Sequence, residues 1–454
     1  MNNNYYLEAK PKLIEGTSPL AIFVFICGFF ASQRFSLDGL NIYICILPYM
    51  LSLYYFLSNK LEIALSLMVI SIFLLSDNGG GVYSETPTIL KYMIYVSGLL
   101  VLGYFSKPKI DRRNMLFLII LSVMLIITTL FSQLAVFDPA TFRRDVLAFI
   151  ILSLVLISKG EVELSLPILF AASFGFLIGE LLNTYLFFNY INHYMNYNSL
   201  KSFIIFPFLY AVFIKKTPLI ATGLFFLTII VLFNYGSRMS FLTLFLFFLI
   251  SFVLDKSKPL RSTLFLIFFL SVPFIINFFE FSTFDTESSR YKVINFFFYL
   301  TNFFVSLDIT NTYEALDLVR FRENQLFFSR PLYEVIFGSG LGSGLADTQG
   351  LLGFVGFFDT AFTVEELNNS VYFNLHDFWT DFGLRFGLIT VVFITYLVSI
   401  KQILFGQKIC GILFGILLFN AFFSTAGMIF TALIIKFYPS GISSMQSNQA
   451  SDSL

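Results

Sequence analysis

Long apolar runs that recur along almost the whole sequence limit this chain to very few folds. The hydrocarbon core of a bilayer is about 30 Å thick, so a helix that crosses it needs about 20 mostly apolar residues. Runs of this kind follow one another here, and 57% of the 454 residues are hydrophobic while 12% are charged. A soluble domain has about twice that charged fraction. The sequence therefore predicts an all-α polytopic membrane protein.

The apolar runs predict about fourteen transmembrane helices. Those that precede a long polar loop fall near residues 18–32, 39–57, 61–76, 88–105, 115–136, 145–158, 165–188, 200–214, 218–235, 239–254 and 262–279. One further span is expected over 380–400, before an apolar region at 409–438. Ser424, Thr425 and Gly427 lie in the middle of that region and suit a tight turn, so we interpret it as two short helices. One long helix there, with one span fewer in all, is the alternative.

This pattern divides the chain into four parts. Residues 1–279 form an N-terminal transmembrane bundle, 280–379 a large polar loop, 380–438 the C-terminal transmembrane helices and 439–454 a tail. Lys and Arg concentrate in one set of short loops, and such an excess marks the cytoplasmic side of a membrane protein. The tail lies on that side. The large loop lies on the opposite side and is predicted to face the periplasm.

Composition and residue spacing exclude several classes of function. The formal net charge is zero, which argues against a nucleic-acid partner. The three cysteines, Cys27, Cys45 and Cys410, lie inside apolar runs and match neither a zinc spacing nor a disulfide framework. No carboxylate cluster with metal-ligand spacing is evident, so we expect neither a metal nor another cofactor.

Arginines at the predicted outer ends of spans break the positive-inside trend. Arg143 and Arg144 stand in an outer segment just before the span predicted over 145–158. Arg238 follows a Gly-Ser pair in a turn between two spans. A charge at membrane depth costs about 3 kcal/mol unless it is paired or hydrated. Arg238 either extends toward lipid headgroups or belongs to a binding site.

An outer loop at 190–197 has the sequence YINHYMNY. Aromatic faces stack on sugar rings and Asn side chains bond to hydroxyl groups, so Tyr194 is a candidate for binding a sugar. An ordinary belt of aromatic residues at the membrane surface is the alternative. His193 in this loop is interpreted as a surface histidine.

The large loop contains a predicted helix. Residues 312–330 have apolar side chains at helical spacing and carry Arg320 and Arg322, and Pro331 ends the helix. Residues 345–372 are interpreted as a further loop with solvated carboxylates.

A glycine-rich turn, GSGLGSG, stands between these segments at 338–344 and cannot lie inside a helix. Its residues Gly338, Gly340 and Gly342 would let backbone N–H groups surround an anion. A flexible turn without a ligand is the alternative. No lysine follows in Walker spacing, which excludes an ATP-binding P-loop.

His376 and Asp377 stand immediately before the span predicted over 380–400. An imidazole at this water edge lies near anionic headgroups and can hold or accept a proton near neutral pH. A purely structural histidine is the alternative. Together with the upstream arginines and the glycine turn, His376 indicates a site for a charged, lipid-linked substrate.

Three short motifs, in this order, resemble the superfamily of O-antigen polymerases (Wzy) and O-antigen ligases, which are bacterial enzymes of surface polysaccharides. The motifs are GSR at 236–238, Arg320 followed by GSGLG at 338–342, and HDFWTDFGLRFG at 376–387. The family usually has Asn where this chain has Asp377. The match covers about a third of the chain, and the pattern of spans agrees over its whole length.

The resemblance implies an inverting, metal-independent glycosyltransferase of the GT-C type in the bacterial inner membrane, with its active site facing the periplasm. Its donor and acceptor would be glycans on undecaprenyl diphosphate. By motif, Arg238, Arg320 and His376 match the family's functional residues. The arginines would neutralise the diphosphate leaving group, to which a guanidinium can make two parallel bonds. His376 would be either the general base on the acceptor hydroxyl or a further phosphate contact.

Substrate binding is predicted for a larger set of outer residues: Arg143, Arg144, Arg322, Gly338, Gly340, Gly342, Asp377 and Tyr194. A polymerase would join repeat units, whereas a ligase, which shares all three motifs, would transfer the glycan to lipid A-core. A flippase or transporter is a further alternative, although the charges cluster outside and no internal repeat is evident. Expected partners are membrane lipids, a chain-length co-polymerase (Wzz-type) and a flippase (Wzx-type).

Overall fold

The computed structural model describes residues 18–32, 40–75, 88–108, 112–131, 137–186, 200–234, 238–254, 318–353, 362–373, 375–422 and 424–439. These ranges are mostly helical and include two small two-stranded sheets, so the predicted helical character is confirmed there. Among them, no helix combines the length and the apolar character that a membrane crossing requires. The span predicted near 262–279 lies outside these ranges.

Helices of the first half of the chain follow the predicted runs closely. They are α1 (Ser18–Ser32), α2 (Leu40–Leu57), α3 (Leu61–Leu75), α4 (Thr88–Tyr104), α5 (Arg112–Phe131), α6 (Pro139–Ile157), α7 (Leu166–Leu186), α8 (Phe206–Tyr210), α9 (Pro218–Asn234) and α10 (Arg238–Leu254). The run predicted over 200–214 is irregular, because a 3-10 turn precedes α8 and a π-helical turn follows it. Pro207 lies in the first turn of α8, where its missing N–H leaves no helical bond unmade.

Helix α6 begins earlier than the sequence predicts. Asp138 caps it, since its carboxylate accepts a hydrogen bond from the N–H of Thr141 at 2.6 Å, and Pro139 occupies the first turn. Arg143 and Arg144, expected in a segment before the span, therefore lie within the helix.

Shorter elements make up the second half. The helices are α11 (Leu318–Phe328), α12 (Leu332–Phe337), α13 (Val364–Asn369), α14 (Phe378–Phe386), α15 (Leu388–Thr395), α16 (Lys401–Leu404), α17 (Lys408–Ala421) and α18 (Thr425–Phe437). The strands are β1 (Ser106–Pro108), which pairs with β2 (Ser158–Gly160), and β3 (Leu345–Ala346), which pairs with β4 (Val371–Tyr372). The segment 345–372, interpreted from the sequence as a loop, thus contains β3, α13 and β4.

Two predictions for the last spans have different outcomes. The division of 409–438 into two helices is confirmed, and Ser424 caps α18 by accepting a hydrogen bond from the N–H of Gly427 at 3.0 Å. The prediction of one helix over 380–400 is wrong. Gly387 separates α14 from α15, because its φ of 82° is not a helical conformation. Glycine adopts this conformation readily, whereas a residue with a Cβ atom would be strained in it.

Helices α1 and α7 approach so closely that their backbones touch. A Cβ atom at Gly175 of α7 would collide with the carbonyl oxygen of Phe25, and one at Gly28 of α1 would collide with that of Ala172. Gly179, one turn after Gly175, also faces α1. Close packing through small residues in the spacing G-x-x-x-G is typical of helix pairs in membranes.

Gly175→Ala should destabilise the protein, although alanine is the better helix former. The added methyl group must push two backbones apart, which costs about 1–3 kcal/mol. The matched control is Gly223→Ala in α9, where no atom lies within 4 Å of the added Cβ. This control should gain about 0.5–1 kcal/mol, because only helix propensity changes. Thermal unfolding of the purified variants measures both effects, and shifts of the same sign and size would contradict the packing.

The two ends of α6 differ in their surroundings. Strands β1 and β2 place Lys107 opposite Lys159, just beyond the C-terminal end of α6. Lys436 of α18 donates through Nζ to a carbonyl oxygen in the last turn of this helix at 2.9 Å. At the N-terminal end, the N–H of Asp138 donates to the carbonyl oxygen of Gly342 at 3.0 Å. Basic side chains therefore gather at one end of α6, and the glycine-rich turn lies at the other.

Large apolar side chains are exposed along the outer faces of α4 and α5. Leu100 in α4 is 67% exposed and Ile126 in α5 is 60% exposed. The exposed set on these helices is Ile89, Tyr92, Met93, Val96, Leu100, Tyr104, Met115, Leu116, Ile119, Ile120, Val123, Ile126, Ile127 and Leu130. Many large apolar side chains exposed along a helix favour its contact with another apolar phase or partner.

Candidate functional site

His376 lies just before α14, and its side chain meets α11. Its ring Nδ1 is 2.7 Å from Glu323 Oε1, and its backbone N–H donates to Glu323 Oε2 at 3.1 Å. Glu323 is fully buried, whereas 29% of the His376 side chain is exposed. Burial raises the pKa of the Glu323 carboxyl, and the bonds and charge of His376 counteract that rise. One buried carboxylate therefore holds both the imidazole and the backbone of His376.

Asp377 joins the same two helices through a second set of contacts. Its buried carboxylate lies 3.4 Å from Arg320 Nε and accepts a hydrogen bond from Asn324 Nδ2 at 3.2 Å. Trp379 Nε1 donates in turn to Asn324 Oδ1 at 3.0 Å. Arg320, Glu323 and Asn324 are three and four residues apart, so they share one face of α11.

We call Arg320, Glu323, His376 and Asp377 the His376 cluster. Two of its members, Arg320 and His376, come from different sequence motifs, and the two carboxylates bring them to one place. The cluster offers a guanidinium, which attracts anions such as phosphate. It also offers an imidazole held by a carboxylate, which can exchange a proton near neutral pH.

Arg385, near the end of α14, is fully buried and pairs with carboxylates from two helices. Its Nη1 is 2.7 Å from Asp381 Oδ1, and its Nε is 3.1 Å from Asp145 Oδ2 of α6. Its Nη2 donates to the carbonyl oxygen of Phe373. Arg144 lies 3.4 Å from the second carboxylate oxygen of Asp381. These contacts form a buried ion-pair network between α6 and α14.

The network also fixes the backbone that carries His376. Asp381 Oδ1 accepts a hydrogen bond from the N–H of Leu375 at 3.1 Å. On the other side of His376, Asp377 precedes the first turn of α14, and its carbonyl oxygen accepts from the N–H of Asp381 at 2.8 Å. The position of His376 therefore depends on a network that does not include its own side chain.

The glycine-rich turn adopts a backbone conformation that favours glycine. The φ angle is 84° at Gly338, 91° at Gly340 and 76° at Gly342. The N–H of Gly340 donates to the carbonyl oxygen of Arg385 at 3.2 Å, and the N–H of Gly342 donates to Asp145 Oδ2 at 2.8 Å. The turn thus binds an anion, but that anion is a carboxylate of the protein itself. This geometry gives the glycines an architectural role, and their contact with a substrate stays a prediction.

The remaining predicted site residues have varied surroundings. Arg143 is exposed on α6 and donates to a carbonyl oxygen of its own helix at 3.3 Å. Arg322 Nη1 donates to Gln325 Oε1 of α11 at 2.8 Å. The backbone of Arg238 opens α10, but its side chain and the whole of Tyr194 lie outside the described residues. Their predicted roles stay predictions.

The backbone of Arg238 nevertheless lies at the end of the bundle that holds the cluster. Helices α10 and α17 pack antiparallel, with Asn420 Nδ2 donating to Thr243 Oγ1 at 2.9 Å. Phe419, beside Asn420, contacts Trp379 with ring centroids 6.1 Å apart. Arg238 precedes Thr243 by little more than one helical turn, so α10 begins near the helix end that Trp379 contacts.

Several residues of this region do not stand out in the sequence. Glu323 has one signal, its spacing of three residues from Arg320 in a predicted helix. Asp381 and Arg385 have the i, i+4 spacing of a helical ion pair. Lys201 lies within electrostatic range of both Arg320 and Glu180, and no local pattern indicates this. The motifs thus indicate the cations of this region but not the residues that pair with them.

Within the ranges that the structure describes, no group of three or more His, Cys, Asp or Glu side chains is placed to hold a metal ion. Comparison with known proteins identifies no relative, since no protein-family model matches the chain and searches of curated proteins and of solved structures also find no match.

Proposed function

We propose that this chain is a membrane-embedded O-antigen polymerase, which joins oligosaccharide repeat units carried on undecaprenyl diphosphate. The single observation that carries the proposal is the His376 cluster, where Arg320 pairs with buried Asp377 and His376, the residue before Asp377, pairs with buried Glu323. An arginine can neutralise a diphosphate, and a histidine can take a proton from a hydroxyl group. In the proposed reaction, glycosyl transfer from a lipid diphosphate would use one group of each kind.

In the proposed reaction, the hydroxyl oxygen of the acceptor sugar forms a bond to the anomeric carbon of the donor. The bond from that carbon to the diphosphate oxygen breaks, and the electron pair leaves with the diphosphate. Attack from the opposite face inverts the anomeric centre. Arg320 and Arg238 stabilise the negative charge that develops on the leaving group. His376 either accepts the hydroxyl proton or contacts the diphosphate.

We place the protein in the bacterial inner membrane, with the cluster on the periplasmic side. The exposed apolar faces of α4 and α5 support this location, since lipid would cover them. The close packing of α1 on α7 through glycines supports it too. The gathering of Lys107, Lys159 and Lys436 away from the cluster agrees with a cytoplasmic side opposite to it.

The proposed partners follow from the reaction. They are the donor and acceptor glycans on undecaprenyl diphosphate, the surrounding membrane lipids, a flippase (Wzx-type) that delivers repeat units and a co-polymerase (Wzz-type) that sets chain length. The proposal includes no cofactor and no nucleic acid.

Lipopolysaccharide from a deletion strain tests the proposal against its alternatives. Loss of a polymerase should leave lipid A-core carrying one repeat unit, and the wild-type gene should restore the polymer ladder. A ligase deletion would leave core with no repeat unit. A flippase deletion would also leave none, and a direct flipping assay would separate these two results. Either result without a repeat unit would overturn the polymerase assignment.

Arg320→Lys should lower the transfer rate by about 10²-fold, because lysine keeps the charge but loses the planar fork that binds phosphate. Arg112→Lys is the matched control, since it makes the same change at an exposed arginine at the start of α5, outside the predicted site. The control should keep its rate within about twofold of the wild type. Polymer ladders and membrane protein levels are measured together, and an equal loss in both variants would remove Arg320 from the proposed chemistry.

A further inference from the structure

We propose that Glu323 is a positioning residue, which holds His376 in the one orientation and tautomer that make its Nε2 the basic atom of the site. This inference rests on the proposed function and resolves the choice that the sequence leaves open for His376. Its basis is geometric. The two oxygens of one carboxylate contact the ring Nδ1 and the backbone N–H of the same histidine, at 2.7 and 3.1 Å.

The burial of Glu323 argues that its contact with His376 is not incidental. A carboxylate that is fully buried costs several kcal/mol unless hydrogen bonds and positive charge compensate it. The bonds from His376 provide that compensation, and they counteract the rise in the pKa of Glu323 that burial causes. Glu323 therefore needs His376 as its partner, and protonation of the imidazole adds a positive charge that stabilises this pair further.

The carboxylate selects the tautomer of the imidazole. An ionised Glu323 accepts hydrogen bonds only, so Nδ1 must carry a proton to bond to it. In the neutral ring the lone pair then resides on Nε2. Phe362 restrains the ring as well, because the two rings meet edge to face with centroids 5.2 Å apart and an interplanar angle of 79°. Free histidine in water prefers the opposite tautomer, with its proton on Nε2.

This arrangement suits a general base better than a phosphate contact. In the transfer step, the acceptor O–H bond breaks and its proton passes to Nε2, while the oxygen forms its bond to the anomeric carbon. The diphosphate departs with the electron pair of the broken C–O bond. The imidazolium formed at His376 keeps its Nδ1–H bond to the Glu323 carboxylate, which stabilises the new positive charge. Carboxylate–histidine pairs act in this way in hydrolases.

Nitrogen-15 NMR of the histidine ring tests the inference without reference to activity. The chain has two histidines, so the variant His193→Gln, labelled with ¹⁵N-histidine, reports on His376 alone. At about pH 8.5, where an ordinary histidine is neutral, we expect a protonated Nδ1 and an unprotonated Nε2. A proton on Nε2 in this protein would overturn the proposal.

Glu323→Gln should shift the ring toward the Nε2-protonated tautomer, because the amide can donate to Nδ1. The same variant should lower kcat by at least about tenfold with little change in KM, since a base acts in the transition state. Glu365 is an exposed carboxylate of α13, so Glu365→Gln is the matched control and should keep the wild-type kcat. An unchanged kcat in folded Glu323→Gln would also overturn the proposal.

The two kinds of measurement separate this inference from the proposed function. If purified protein transfers no glycan but the ring has the Nδ1-protonated form, the polymerase assignment fails and the positioning of His376 stands. If transfer occurs and the ring has the other tautomer, the assignment stands and the role of Glu323 fails. A Glu323→Gln variant that does not fold leaves the spectrum of the parent protein to decide.

Discussion

Arg385→Met should destabilise the protein by about 3–5 kcal/mol, the largest stability loss that we expect from one substitution near the candidate site. The guanidinium of Arg385 is fully buried and compensates the carboxylates of Asp145 and Asp381, at 3.1 and 2.7 Å. Methionine fills much of the volume but leaves both carboxylates without this cation. Thermal unfolding of purified protein in detergent, together with membrane protein levels, measures the loss.

Arg143→Met is the matched control, because Arg143 is exposed on α6 and the bond described for it is to a carbonyl oxygen of its own helix. It should change stability by no more than about 0.5 kcal/mol. The double variant Asp145→Asn with Arg385→Met should recover part of the loss, because one buried charge no longer needs a partner. If Arg385→Met unfolds at the wild-type temperature, the buried network does not hold the two helices together.

This network also shows where reading the sequence reaches its limit. Arg144 and Asp381 are 237 residues apart, and Gly342 and Asp145 are 197 residues apart. Apolar periodicity and capping residues act over a few positions, so they indicate where helices form but not which distant side chains meet. An ion pair between α6 and α14 depends on the packing of the whole bundle, which no local pattern contains.

Helix ends were easier to predict where capping chemistry is explicit. Ser424 lies at the turn between α17 and α18 because its side chain satisfies an N–H that the first turn leaves unpaired. The same logic applies to Asp138 and Pro139 at the start of α6, but there the apolar run begins later than the helix. Hydrophobicity alone therefore misplaces the start of α6 and, with it, Arg143 and Arg144.

The sequence correctly predicts that the glycine-rich turn is not helical, but it does not predict which group the turn binds. GSGLGSG cannot form a helix, and three of its glycines have positive φ angles. Backbone N–H groups in such a turn attract an anion. Whether that anion is a ligand or Asp145 depends on where α6 lies relative to the turn, which is again a property of the tertiary structure.

Three of the four members of the His376 cluster, Arg320, His376 and Asp377, are among the site residues that the sequence predicts. Arg320 and His376 appear in separate motifs, and helical spacing places Glu323 on the face of α11 that carries Arg320. The sequence does not indicate that this face of α11 packs against the start of α14. The pairing of Glu323 with His376 follows only from that contact.

The second large effect should come from His376→Ala, which we expect to lower the transfer rate by about 10²–10⁴-fold while membrane protein levels stay near those of the wild type. In the proposed reaction, the lost group is the one that accepts the proton of the acceptor hydroxyl. His193→Ala, the same change at the other histidine, should keep most of the activity. A His376→Ala enzyme with the wild-type rate would remove this residue from the reaction.

The pH dependence of the rate separates a base from a phosphate contact at His376. A base must be unprotonated at Nε2, so the rate should fall as the pH falls and the imidazole becomes protonated. Protonation of Glu323, whose pKa burial raises, acts in the same direction because it removes the acceptor that orients the ring. A phosphate contact requires the imidazolium, and the rate would then fall as the pH rises. Transfer between purified lipid-linked donor and acceptor, followed from about pH 5.5 to about 8.5, distinguishes the two roles.

The variant His376→Lys gives an independent check on the role of His376. A protonated lysine can replace a phosphate contact, but it cannot replace a base. Recovery of the transfer rate in His376→Lys would therefore contradict the role of His376 as a base.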